Sequence, residues 1–171
     1  MHHRDLHWIR RQFPALELKI RGHKAVFLDG PGGTQVPQRV IDTMADYLTC
    51  SNANTNGAFA TSRRSDAVIG QAHGAMADFL GCSSEEVVFG PNMTTLTFGL
   101  SRAIGRGLRP EDEVVVTRLD HDANVAPWRT LEEQGIMVRE VDIHVEDCTL
   151  NMDDLAEKIN SRTRLVAVGY A

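Results

Sequence analysis

No apolar run in this 171-residue sequence approaches the length needed to span a bilayer, and the opening residues, MHHRDLHWIRRQ, lack the apolar centre of a secretory signal. No membrane partner is expected, and the expected location is cytoplasmic. Cysteine is scarce: Cys50, Cys82 and Cys148 are scattered, odd in number and outside any CxxC or Cys/His spacing, which argues for reduced structural thiols. A basic excess is missing as well. With 18 Lys and Arg against 23 Asp and Glu, a net charge of −5, the chain carries no signature of a nucleic-acid-binding face. The glycine fingerprints of nucleotide sites are also absent, because the glycine-rich loop at Gly30–Gly33 has neither GxGxxG spacing nor a Lys-Ser/Thr ending. No internal repeat and no low-complexity linker divides the chain.

Hydrophobic residues make up 42% of the sequence, enough for a substantial core in one domain or in one large piece of a bigger protein. The chain is organised around Glu86 to Gly105, EVVFGPNMTTLTFGLSRAIG. Val87-Val88-Phe89 predicts a buried strand, Gly90-Pro91-Asn92 a break, and the pattern Leu96, Phe98, Leu100, Ile104 a helix. Met93, Thr94 and Thr95 then fall at a helix start, where backbone N–H groups lack intrahelical partners, the dipole is positive and two hydroxyls add donors. Such a start can cradle a phosphate. On local evidence alone a plain helix cap at Asn92, Thr94 or Thr95 explains these residue types and is the favoured reading.

From the N-terminus, Asp5 to Phe13 predicts an amphipathic helix with Leu6, Ile9 and Phe13 on its packed face, ended by Pro14. Ala25 to Leu28 reads as a short extended segment leading into Asp29-Gly30-Pro31-Gly32-Gly33-Thr34, a loop whose glycines permit close approach of backbone to a ligand or simply a tight turn. A helix with Pro37 in its first turn follows to Cys50, its apolar face made of Val40, Ile41, Met44, Tyr47 and Leu48. Ser51 to Ser62 is polar and turn-rich, a lid or a connector. Ser65 to Leu80 predicts a helix burying Val68, Ile69, Ala72, Met76 and Phe79, stopped by Gly81, with His73 as a packed or solvent-facing residue. Beyond the central stretch come a strand at Val114-Val115-Val116, a helix from Val125 to Gln134, a strand from Met137 to Ile143, a helix from Met152 to Ile159 and a strand from Leu165 to Val168.

This alternation gives the fold class: α/β, with a mainly parallel sheet and flanking helices. Ligands of such sheets gather at the carboxyl ends of the strands. The Gly90–Thr95 turn and the Asp120–Asn124 loop both belong to that edge, which places His121 near an anion held by Thr94 and Thr95. There an imidazole can stack on a ring, donate a hydrogen bond or move a proton, although a loop histidine flanked by acids needs no such role. No metal is expected, since Asp120, His121 and Asp122 are consecutive and no second histidine lies at helical spacing.

Four segments, taken in order, resemble one family. Phe27-Leu28-Asp29-Gly30-Pro31-Gly32-Gly33-Thr34 is similar to a YLDNAATT opening, and Asn92-Met93-Thr94-Thr95 to an RGTTE phosphate-binding turn. Leu119-Asp120-His121-Asp122-Ala123-Asn124-Val125-Ala126-Pro127-Trp128 is similar to EHHANIVPW, and Thr163-Arg164-Leu165-Val166-Ala167-Val168 to a TRLLAI strand. The family is that of class V aminotransferase-like enzymes dependent on pyridoxal phosphate, in the cysteine desulfurase and selenocysteine lyase branch. The resemblance implies part of the large domain of a fold-type I enzyme, with the phosphate of pyridoxal 5'-phosphate on Met93, Thr94 and Thr95. It also implies a pyridine ring stacked on a catalytic His121, which could assist proton transfer, and a pocket shaped in part by Asn124. Gly30, Pro31, Gly32 and Gly33 would then lie near the carboxylate of a small amino acid, such as cysteine, in a homodimeric enzyme that removes sulfur or selenium or transfers an amino group.

The match departs from the family in three places: Gly-Pro-Gly-Gly in the opening, Phe59 where group II desulfurases carry a histidine, and Leu96 in place of the glutamate after the threonine pair. These leave the substrate open. The sequence ends before the family's Schiff-base lysine, pyridine-facing aspartate, substrate arginine and mobile cysteine, and Lys19, Lys24 and Lys158 occupy none of the matched positions. The expectation is therefore an N-terminal fragment, with a helical segment at 1–24 and an incomplete cofactor-binding large domain at 25–171, inactive by itself. The competing readings are a non-catalytic remnant of the family and an interaction module that binds a nucleotide phosphate.

Overall fold

The computed structural model describes residues 5–169. Residues 1–4 and 170–171, the outer ends of the segments expected at 1–24 and 25–171, lie outside that range. The chain forms two compact units, Met1–Val88 and Phe89–Ala171.

In the first unit, helix α1 (Leu6–Arg11) begins where the Asp5 carboxylate accepts the amides of His7 and Trp8. That N-cap satisfies donors the helix itself cannot. Pro14 ends the run, opening a 3-10 turn at Pro14–Glu17. The expected packed face is only partly realised, with Ile9 and Phe13 half-buried and Leu6 exposed. A hairpin follows that apolar periodicity did not announce: β1 (Lys19–Ile20) pairs antiparallel with β2 (His23–Lys24) through Arg21 and Gly22, at φ 50° and 83°. Two positive φ values in a two-residue loop match the twist of the flanking strands. The extended segment expected at Ala25–Leu28 is irregular, tied at its start by the Ala25 amide to the Leu18 carbonyl, and Leu28 is 90% exposed.

Helix α2 (Gln38–Cys50) follows Pro37 as expected. Helix α3 (Ala60–Leu80) starts ahead of the expected Ser65, shortening the loop before it, and Gly81 closes it. Its buried stripe is a correction. Val68, Ile69 and Phe79 are exposed, and the buried positions are Ser62, Ser65 and Ala77. The reason is polar: the Ser62 hydroxyl accepts the Gly57 amide, and the Ser65 hydroxyl donates to the Ser51 and Ala53 carbonyls beside the Tyr47 hydroxyl. Those serines face inward because the loop backbone from Ser51 to Gly57 needs their hydrogen bonds.

The second unit is built on β3 (Glu113–Thr117), whose five residues are all buried. It lies at the centre of a parallel sheet between β4 (Met137–Val141) and β7 (Thr163–Val166). An uninterrupted valine run suits a strand covered on both faces. Helix α4 (Met93–Gly105), helix α5 (Ala126–Arg129) and the 3-10 turn Thr130–Gln134 precede or follow that strand. The core is Val114, Val116, Val125, Trp128, Leu131, Ile136 and Ala167, each large apolar member contributing about 1.5–3 kcal/mol by burial. Gly105 lets α4 approach this core, since a Cβ there would sit 2.6 Å from Leu131 Cδ2.

Two expected strands change. Val87-Val88-Phe89 is irregular rather than a strand, with Val87 buried and Val88 and Phe89 exposed. A parallel strand needs a neighbour to complete its ladder, and the described sheet order β4-β3-β7 does not include this segment. The strand expected over Met137 to Ile143 stops at Val141, where the Asp142 carboxylate accepts the Ile143 amide. β5 (Ile143–His144) then pairs antiparallel with β6 (Thr149–Leu150). Helix α6 (Met152–Lys158) leads back towards β7.

At the amino end of the sheet the fully buried Glu113 ties the three strands together. It accepts from Arg139 of β4 at 3.2 and 3.3 Å and from Asn160, before β7, at 2.8 Å, and it pairs with Arg162 at 2.8 Å. The Arg139 and Asn160 hydrogen bonds hold its carboxyl below the usual carboxylate range.

Candidate functional site

At the opposite, carboxyl edge of the sheet a cavity of about 360 Å³ opens within the second unit. Its wall includes Met93 from the start of α4, Thr117 from the end of β3, Asp120 and His121 from the loop that follows, Leu150 from β6 and Gly169 beyond β7. Met93 and His121, two of the residues expected at the site, are thus brought to one cavity. Thr94 and Thr95 are exposed at the same helix start but are not among the lining residues.

The start of α4 carries a cap and, beside it, donors that the cap does not use. Asn92 is the cap: its carboxamide oxygen accepts the Thr95 amide at 2.9 Å, and its carbonyl accepts the Leu96 amide. Among the described residues no protein acceptor is recorded for the Met93 and Thr94 amides or for the Thr94 and Thr95 hydroxyls. An exposed set of two amides and two hydroxyls at the positive end of a 13-residue helix is a donor set suited to a phosphate ester. The residues present therefore fit the phosphate of the implied cofactor.

In the loop, His121 precedes a 3-10 turn, Asp122–Asn124, and its Nδ1 accepts the Ala123 amide at 3.0 Å. A backbone N–H can only donate, so the neutral ring carries its proton on Nε2. Asn124, expected to help shape the pocket, donates from Nδ2 to Asp120 Oδ1 at 3.0 Å and accepts the Trp128 indole N–H at its Oδ1 at 3.4 Å. Gly30, Pro31, Gly32 and Gly33 belong to the first unit, as an exposed 3-10 turn over Gly30–Gly32 with Gly33 at φ 151°. Beside the loop, Arg118 pairs with Asp142 at 2.7 Å and Arg129 with Glu140. The Ile143 amide, with Arg118, lowers the Asp142 pKa. Lys158 donates to Asp154 and to the Glu140 carbonyl, both at 2.6 Å, which engages the one lysine of this unit.

Sequence reasoning missed Thr117, Asp120, Leu150 and Gly169 as parts of this cavity. A hydroxyl at the last position of a valine strand and a carboxylate three residues on were the available signal for Thr117 and Asp120. Leu150 and Gly169 arrive through pairings that local pattern does not encode.

The aminotransferase class-V family model matches residues 26–171. A cysteine desulfurase of Synechococcus elongatus is 32% identical over 95% of this chain and 26% of its own length, and a probable cysteine desulfurase of Halobacterium salinarum is 34% identical over 95% of this chain and 40% of its own. The chain thus spans about a quarter to two fifths of the length of these curated relatives. The apo structure of a cysteine desulfurase from Thermococcus onnurineus superposes with a TM-score of 0.81 at 21% identity, over 94% of this chain and 39% of that one, and so shares its fold. With the family model covering residues 26–171, the chain belongs to the aminotransferase class-V family.

Proposed function

We propose that this chain is the cofactor-binding N-terminal part of a cysteine desulfurase-like enzyme that uses pyridoxal 5'-phosphate to act on a small amino acid, cysteine first among the candidates. The observation that carries the reading is the meeting of the α4 start, through Met93, with the His121 ring in one cavity at the carboxyl edge of the sheet. Thr94 and Thr95, with the Met93 and Thr94 amides, would hold the phosphate. When bound, pyridoxal phosphate supplies the electron sink for carbanion chemistry at the amino-acid α-carbon.

The chain's own residues orient the reactants and shape the site. His121 offers a flat ring for stacking, held at Nδ1 by the Ala123 amide, and its Nε2–H remains free to donate a hydrogen bond. Leu119, Leu150 and Val168 line the cavity with apolar surface that limits water. The reading carries with it a cytoplasmic location, in keeping with three cysteines that are all unpaired, and a homodimer for the whole enzyme.

The test is a cofactor titration of the full-length protein carrying Thr94→Ala and Thr95→Ala together. Losing two hydroxyl donors while keeping the amides and the dipole should weaken affinity roughly tenfold to a hundredfold with an unchanged far-ultraviolet spectrum. Affinity equal to that of the wild type would remove the phosphate assignment.

A further inference from the structure

Asp120, in the cavity wall, is held at both carboxylate oxygens. Its Oδ2 accepts the Thr117 hydroxyl at 2.6 Å and its Oδ1 accepts the Asn124 carboxamide at 3.0 Å. Asn124 is tied in turn to the indole of Trp128, which is buried in the core, and its backbone amide donates to the His121 carbonyl at 2.8 Å. His121 therefore sits between an anchored residue before it and an anchored residue after it. With its Nδ1 also occupied by Ala123, the ring has little freedom to turn.

The last part of this arrangement comes from beyond β7. A Cβ built at Gly169 would stand 2.6 Å from Asp120 Oδ1, closer than any side-chain carbon normally approaches an oxygen. The end of a free side chain could swing aside. This carboxylate cannot, because both oxygens are already engaged by Thr117 and Asn124, so a methyl group at Gly169 would have to move the loop.

We propose that Asp120 is a positioning residue for His121, acting through Thr117 and Asn124, and that the bare backbone at Gly169 provides the space its carboxylate needs. The assignment rests on the reading of His121 given above. Its basis is hydrogen-bond geometry rather than charge. A carboxamide of the same shape can keep both contacts, its oxygen accepting from Asn124 and its NH₂ donating to a Thr117 hydroxyl turned to accept.

The test uses full-length protein with labelled histidine, first without added cofactor. The His121 imidazole signals should shift or broaden in Asp120→Ala and in Gly169→Ala and stay at wild-type positions in Asp120→Asn. With cofactor and L-cysteine, both disruptive variants should lose roughly tenfold to a hundredfold in kcat with KM within about twofold, and Asp120→Asn should recover most of the rate. Unchanged His121 signals in Asp120→Ala and Gly169→Ala would overturn the proposal, as would an Asp120→Asn variant as perturbed as Asp120→Ala. If Asp120→Ala does not fold, the Gly169→Ala signals decide alone. A wild-type protein that binds no pyridoxal phosphate would end the functional reading, and the imidazole signals would still decide whether Asp120 positions His121.

Discussion

Asn92 and the residues behind it share the start of α4, and the sharing can be tested one side chain at a time. Asn92→Ala strips the acceptor from the Thr95 amide, which is exposed and so recovers only water. The expected cost is about 1 kcal/mol of stability, mostly restored by Asn92→Ser. Thermal or urea unfolding of the two variants is the measurement; equal losses in both would mean that the cap hydrogen bond contributes nothing. The types and positions of Met93, Thr94, Thr95 and His121 were legible in the sequence because a helix start and a post-strand loop are local features. Asp120 was read there as a residue of the loop at the sheet's ligand edge and as a poor metal ligand, with no role of its own in the site. Its partners Thr117 and Asn124 are near in sequence, but Gly169 is not, and without Gly169 the crowding at that carboxylate has no sequence signal.

Among the elements, those specified by local chemistry appear close to where the pattern puts them: α2 after Pro37, α4 after Asn92 and α6 after Asn151, whose side chain accepts the Asp154 amide. Elements that depend on a neighbour do not. Val87–Phe89 has strand composition and no place in the described sheet, whereas His23–Lys24 has little strand composition and pairs because Arg21-Gly22 turns it back. The sheet's amino edge makes a pH prediction. Glu113 has a depressed pKa in the folded state, so its contribution is fully present at neutral pH and is lost as pH falls from the ordinary carboxylate range, about 4, through the depressed folded value. Asp112, held down by the Arg109 amide and then by Arg164, acts in the same direction. The thermal midpoint should therefore fall on acidification, and Glu113→Gln should lower it at neutral pH while flattening that acid limb. Parallel acid limbs for the two proteins would show that Glu113 is not the source.

For the whole molecule, the α/β class and the parallel sheet were readable from strand and helix alternation, and the division at Val88 and Phe89 was not, since no linker composition marks it. Nor were the exposed faces of α2 and α3 foreseen. Met44, Leu48 and Val68 line an open apolar cleft of about 250 Å³ in the first unit, where periodicity predicted burial. Periodicity reports which face is apolar; it does not report what covers it.

The strand order also sets a sequence of events in time. β3 meets β4 across one short crossover but meets β7 only after about twice as much chain has been drawn in, because Glu113 lies beside Met137 on one side and Thr163 on the other. Doubling a loop adds only about 0.6 kcal/mol to its closure, yet both edges compete for the same nucleus, and the nearer one has the advantage. The β3–β4 pair should form first during refolding, with β7 docking onto it afterwards. Pulsed hydrogen exchange would then find the Arg118 amide, which donates to Val141, protected before the Ala167 amide, which donates to Val115; simultaneous protection would rule this order out. Gly169 follows Ala167 by two residues, so the wall of the cavity is closed only once β7 has docked, and a chain stalled before that step would have its valine core half assembled and no pocket.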